Sequence, residues 1–294
     1  MTPEPMPEPT PGRAPRIHAA LAALLLACAP PPVTAPEPAP RLVSVDDPPP
    51  APIPRVMPDA PGPKGHVPES MSDAPGPGDR PDPRAAETRS VYPGINAPYR
   101  DPKGARRWAR RFERDGREVH DHRAQIVQAL ALRPGMAIAD VGAGSGLFTL
   151  AFAEAVGPTG RVYAVDIIPH FLAHIRAKLE KAGVTHVTLV QATDRSAELP
   201  PASVDLVFMS DAYHHLEFPQ HVLASLRSAL RPGGSLWLID FNRGPDSDPS
   251  LRRHVRAGKA EVLQELAQAG FEVLAEPALL QENYVLQLRP RPTP

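Results

Sequence analysis

The chain has little cysteine, little net charge and no long apolar run. Among its 294 residues there is one cysteine, Cys28. This excludes an internal disulfide framework, a cysteine-based zinc site and any mechanism that needs several thiols around a soft substrate. The formal net charge is −1, so no overall basic field points to nucleic acid. Apolar residues run unbroken over Ala19–Ala27, which is too short to cross a bilayer as a mature helix. What the chain has in excess is proline. It carries 41, and 28 of them lie at or before Pro102. Proline donates no backbone hydrogen bond and breaks helix interiors. The first hundred residues are therefore poor material for a core, and the roughly 190 that remain suit one α/β domain.

The N-terminal third divides in two. Arg13, Arg16 and His18 precede the Ala19–Ala27 run, which has the length of a secretory h-region. Leu25-Leu26-Ala27-Cys28 resembles a bacterial lipobox, in which the cysteine is lipidated and becomes the mature N-terminus. Residues 1–28 are accordingly read as a lipoprotein-type signal peptide. The implied location is the periplasmic side of a membrane, anchored through Cys28. Glu4, Glu8 and the bulky Leu26 depart from the usual pattern, and a cytoplasmic chain with an apolar patch in its tail is the alternative. Residues 29–102 are rich in proline, alanine, aspartate and glycine. They cannot bury enough apolar surface to offset ordering entropy, and read as a disordered linker of polyproline II character. Residues 103–294 form the domain.

At the domain's start, Trp108 and Phe112 sit one helical turn apart among Arg106, Arg107, Arg110, Arg111 and Arg114. A second helix is expected over Arg117–Leu130. His120 and His122 lack a third ligand in any evident geometry, so no metal site is assigned. The apolar strand Ala137–Val141 then runs into Asp140-Val141-Gly142-Ala143-Gly144-Ser145-Gly146 and a helix over Leu147–Val156. Strand, glycine turn and helix in that order make the nucleotide-binding half of a doubly wound sheet. The spacing is G-x-G-x-G, not the G-x-G-x-x-G that admits a pyrophosphate, and a carboxylate at Asp140 would repel one.

Further alternation follows. Strands are expected at Arg161–Val165, Val187–Gln191, Val204–Ser210, Ser235–Asp240, Phe271–Ala275 and Tyr284–Leu288, the last antiparallel. Helices are expected at Pro169–Ala182, Gln220–Leu230 and Lys259–Ala269. Asp166 closes the second strand about 20 positions past the glycine loop, where an acidic residue accepts ribose hydroxyls. Asp211-Ala212-Tyr213-His214-His215-Leu216 follows the fourth strand, at the edge where open α/β sheets hold ligands.

The series DVGAGSG (140–146), AVD (164–166), LP (199–200) before VDLVF (204–208), YHHL (213–216), LRPGG (230–234) and AGF (269–271) resembles the bacterial class I S-adenosylmethionine-dependent methyltransferases of the small-molecule type. The resemblance implies a seven-stranded, mostly parallel sheet of order 3-2-1-4-5-7-6, with N-terminal helices added. It implies S-adenosyl-L-methionine as cofactor, bound by Asp140, Gly142, Ala143, Gly144, Gly146, Asp166 and Ile167. Thr193 or Asp194 would lie near the adenine and Asp211 near the methionine end. The implied function is methyl transfer to an oxygen or nitrogen of a small-molecule acceptor. Such a nucleophile must lose a proton, and His214 and His215 are the candidate bases, with Glu113 and Glu118 as further candidates. No Asn-Pro-Pro-Tyr motif follows the fourth strand, which argues against a nucleic-acid amine. An envelope lipoprotein that binds the cofactor without turnover is the competing reading, since this cofactor is made in the cytosol.

If the lipobox reading is correct, Cys28→Ser moves the chain from the membrane to the soluble fraction on cell fractionation. An unchanged distribution rejects it.

Overall fold

A computed structural model of the protein describes residues 89–292. The lipobox with Cys28 and residues 29–88 of the linker lie outside the described residues. Seven strands form one sheet: β1 (Ala137–Val141), β2 (Arg161–Asp166), β3 (Val187–Gln191), β4 (Val204–Ser210), β5 (Leu230–Phe241), β6 (Phe271–Ala275) and β7 (Asn283–Pro290). Their order is 3-2-1-4-5-7-6, as expected. β1 to β5 are parallel, and β7 runs antiparallel to both its neighbours.

Side chains alternate across the sheet with the strand period of two. On one face Ala139, Val141, Val207, Met209, Leu236 and Leu238 form a core with helices α6 (Pro219–Ala229) and α8 (Lys259–Gln268). The intervening residues Ile138, Leu206, Phe208, Trp237 and Ile239 face the other way. They pack on α3 (Arg123–Ala129) and α4 (Thr149–Val156). Helix α5 (Pro169–Ala182) covers β2 and β3 through Ile175 and Leu179. It stops at Gly183, which takes the left-handed conformation that glycine tolerates best.

The start of the domain departs from expectation in two ways. The helix expected over Arg117–Leu130 is broken at His122 into α2 (Glu118–Asp121) and α3. More consequentially, residues 89–102, which composition assigns to the linker, pack on the domain. Ser90 Oγ and the Gly94 amide donate to the Glu217 carboxylate, and the Val91 amide to its carbonyl. Buried Asn96 donates to the His215 carbonyl at 3.0 Å, and Tyr92 Oη to the Arg253 carbonyl. Prolines here initiate short 3-10 turns at Ala97–Tyr99 and Pro102–Gly104, a position in which their missing donor costs nothing. Helix α1 (Ala105–Phe112) follows, burying Trp108.

Fully buried Phe208 packs between Phe148 and Phe152 at ring separations of 4.7 and 5.1 Å. Phe208→Ala is expected to cost about 3–5 kcal/mol, measured by urea unfolding. A loss below about 1 kcal/mol would show that this face is not close-packed.

Candidate functional site

Strand order reverses between β1 and β4, and open α/β sheets bind ligands at that switch point, beyond the carboxyl ends of the strands. Here a cleft of about 760 Å³ opens. Its floor is the loop after β1. Gly142 and Gly144 hold φ of +73° and +53°, a region costly for other residues. A Cβ on Gly142 would lie 2.5 Å from that of Ala212, so the β1 and β4 loops touch only because this residue is glycine.

Asp166 organises the loop from β2. One carboxylate oxygen accepts the Gly144 amide at 2.8 Å, the other the Ile168 amide at 2.8 Å. Burial raises its pKa to about 6 against those hydrogen bonds. Asp166 lines the cleft beside Ile167, Thr193 and Asp211. Apolar Ala197, Leu216 and Val222 wall the cleft. The segment from the presumed linker supplies its roof through Asn96 and Tyr99, with Phe112 of α1.

Asp140 does not line the cleft. It is buried beneath the loop, where Thr149 Oγ1 at the start of α4 donates to it at 2.6 Å. Desolvation raises its pKa to about 7, with the charge of Asp166 adding to the rise. The strand alternation turns the side chain of residue 140 away from the cleft and toward α4. Ala143 and Gly146 likewise lie off the cleft wall, and Asp194 is exposed to solvent. Thr193 is also exposed but is the member of that pair that lines the cleft.

Asp211 stands at the end of β4 in the left-handed region, at φ +48°, which aspartate tolerates. It accepts from Arg117 at 2.7 Å and from Asn283 Nδ2 at 2.5 Å. Burial still holds its pKa above the usual carboxylate range. Asp211, Tyr99, Phe112 and His215 also belong to a second cavity, of about 910 Å³. That cavity is walled by Trp108, Phe241 and Leu251, rimmed by Arg111, Arg114 and Arg117, and floored by His214 and His254.

The two candidate bases are placed differently. His214 is buried, with Nδ1 2.7 Å from Asp240 Oδ1 and Nε2 3.3 Å from Nε2 of His254. Both its ring nitrogens are engaged, so it is not poised to meet an acceptor directly. His215 lines both cavities, with Tyr99 edge-on at 5.2 Å. Burial and the neighbouring imidazoles keep His215 well below its ordinary pKa, and hold His254 at about 4. The 3-10 turn that carries both residues, Tyr213–His215, is anchored by fully buried Tyr213, whose hydroxyl donates to Glu265 at 2.7 Å.

Glu113 and Glu118 line neither cavity. Glu113 pairs with Lys178 at 2.6 Å, and Glu118 accepts the amides of Gln281, Glu282 and Asn283. His120 and His122 bond exposed neighbours. His254 and Asp240 were missed in the sequence. His254 closes the short helix α7 (Pro249–His254), inside a charged stretch with no readable motif.

Comparison with known proteins agrees with this geometry. Residues 138–234 match a family model described as "Methyltransferase domain". The ubiquinone/menaquinone biosynthesis C-methyltransferase of Shewanella pealeana is 30% identical over 118 residues, 40% of this chain and 47% of that protein. Its Pasteurella multocida counterpart is 32% identical over 124 residues, 42% and 46% of the two chains. The chain spans about half the length of these curated relatives. Among solved structures, an Aquifex aeolicus S-adenosylmethionine-dependent methyltransferase superposes with a TM-score of 0.56 at 25% identity, covering 64% of this chain and 97% of its own. A [4+2]-cyclase superposes at 0.51 with 16% identity, covering 61% and 86%, a likeness of fold alone. Residues 138–234 thus match a methyltransferase domain in sequence, and the sheet order and glycine loop are those of the class I S-adenosylmethionine-dependent methyltransferase fold. The methyl donor of that class is S-adenosyl-L-methionine.

The raised pKa of Asp140, from 3.8 to about 7, has a consequence for stability. A buried carboxyl raised in the folded state favours folding below its unfolded pKa and loses that contribution as pH rises through the folded value. The loss is on the order of 4 kcal/mol by pH 8. Asp140→Asn is therefore expected to melt higher than wild type at pH 8 and to show no such gain at pH 4. Equal melting temperatures at pH 8 would contradict the assignment.

Proposed function

We propose that the protein transfers a methyl group from S-adenosyl-L-methionine to an oxygen or nitrogen of a small planar acceptor held in the second cavity. The observation that carries this reading is the pair of adjoining cavities, one built around the glycine loop and Asp166, the other walled by aromatic rings, which meet at Asp211 and His215. The first fits the donor. Asp166 would take the ribose hydroxyls, Ile167 and Thr193 the adenine, and Gly142, Gly144 and Asp211 the amino-acid end, with Asp140 bracing the loop from below. When bound, S-adenosylmethionine supplies an electrophilic methyl on a sulfonium with a neutral leaving group. The protein then has no departing anion to stabilise, and alignment of the acceptor supplies much of the rate.

Alignment is what the second cavity offers. Trp108, Phe112 and Phe241 line it with rings suited to a flat acceptor. The relatives' names give a second reading, methylation at a ring carbon, since they denote C-methyltransferases of quinone biosynthesis. A third, binding without turnover, keeps the first cavity and gives the second no acceptor.

Calorimetric titration with S-adenosylmethionine and S-adenosylhomocysteine tests the donor site. Micromolar binding is expected, weakened about 10- to 100-fold by Asp166→Ala and falling as the pH drops through about 6, where Asp166 takes up its proton. Absence of binding by the folded protein would sink the reading. Transfer of a labelled methyl group to a panel of phenols, quinols and aryl amines separates the three readings. O- or N-methyl products support the proposal, and C-methyl products or none overturn its acceptor half.

A further inference from the structure

Three imidazoles from two separate segments converge where the cavities meet. Among the described residues, one nitrogen from each of His214, His215 and His254 lies within 4.8 Å of the other two. Their ring centroids form a triangle with sides of 4.3, 4.9 and 5.0 Å. All three residues line the second cavity.

We propose that His214, His215 and His254 bind one divalent transition-metal ion of the zinc type, with its remaining coordination position open to the second cavity. The first argument is geometric. A tetrahedral ion with metal–nitrogen bonds of about 2.0–2.1 Å sets its ligand atoms about 3.3–3.4 Å apart. The two Nε2 atoms of His214 and His254 are 3.3 Å apart.

The second argument is the surrounding hydrogen bonds. Asp240 Oδ1 lies 2.7 Å from Nδ1 of His214, and the same carboxylate accepts the amides of His214 and Phe241 at 3.0 and 2.8 Å. A carboxylate so held keeps the proton on Nδ1 and turns the Nε2 lone pair toward His254. Metal-ligating histidines are oriented in this way by a carboxylate behind them. The third argument is His215, whose Nδ1 is buried and has no hydrogen-bond partner among the described residues. A simple chain of hydrogen bonds from Asp240 through His214 to His254 accounts for the 3.3 Å contact but leaves that nitrogen unsatisfied, which costs about 1–3 kcal/mol. An ion bound through Nδ1 of His215 accounts for both.

The ligand set is informative about the ion. Three neutral imidazoles suit zinc, nickel, copper or iron and not magnesium or calcium. Three protein ligands with one position open is the arrangement of catalytic zinc. Arg111 and Arg114 line the same cavity with Asp211 and Glu282, and Arg117 is paired with Asp211, so the lining selects no charge and the open position takes an oxygen through the ion's own preference. Insofar as the methyl-transfer reading holds, that oxygen belongs to the acceptor, and the ion acts as a Lewis acid that holds it near the donor cleft. The metal site itself does not depend on that reading.

The test uses the tag-free full chain, stripped with a chelator and titrated with Co²⁺ and then Zn²⁺, without cofactor. The expected result is one Co²⁺ per chain with the visible bands of a tetrahedral site, displaced by Zn²⁺, and a melting temperature raised by Zn²⁺. His254→Ala should abolish the bands while melting like metal-free wild type, and His254→Gln gives the same reading if the alanine variant does not fold. Asp240→Asn should weaken Co²⁺ about 10- to 100-fold. His120→Ala, in the exposed group Asp115, His120 and Asp121, should change nothing. No bands in folded wild type, bands that survive loss of His254, or bands lost with His120 each overturn the proposal. Because metal binding is read without S-adenosylmethionine, its failure is distinguishable from failure of the donor site.

Discussion

Two carboxylates taken out of water at the ends of adjacent parallel strands govern this domain. Asp140 and Asp166 are 4% and 6% exposed, and burial of such groups is unfavourable unless hydrogen bonds replace the lost water. Each is compensated differently. Thr149 answers Asp140 from the first turn of α4, which ties that helix to the end of β1. The amides of Gly144 and Ile168 answer Asp166, which fixes the loop and the approach to α5. The shape of the first cleft follows from these two accommodations. A loop held by its own amides on a buried carboxylate is already in shape before any ligand arrives, and preorganisation of that kind lowers the entropy lost on binding.

The neighbouring strand end shows the same economy on a larger scale. Asp211 draws Arg117 from the N-terminal region and Asn283 from β7 onto the end of β4. Distant parts of the chain are thereby tied to the boundary between the cavities. Tyr213, with Glu265 and Arg256 behind it, holds the turn that presents His214 and His215.

Much of this was legible in the sequence because it is local. The glycine loop, Asp166 and the alternation of strands and helices are each written within a few residues, and the sheet order follows from the family pattern that they spell. Ile167, Thr193 and Asp211 fall in the cleft for the same reason. What was not legible depends on contacts between remote segments. Asp140 reads as a ligand from its place before the glycines, yet the pleat turns it toward α4. His254 stands 40 residues from His214, in a stretch whose charges hide it. Ser90 to Tyr99 look like linker because prolines surround them, and composition does not reveal that Asn96 and Glu217 are partners.

That last feature bears on how the molecule is made. The roof of the first cleft precedes its floor in the chain. Ser90 lies 127 residues before Glu217, and Tyr92 lies 161 before Arg253. Synthesis runs from the N-terminus, so the roof leaves the ribosome long before the residues that it grips. It must wait, unpaired, until the sheet exists. Closure of the cavity is therefore a late event in biogenesis, and a nascent chain arrested before His215 would hold its glycine loop uncovered.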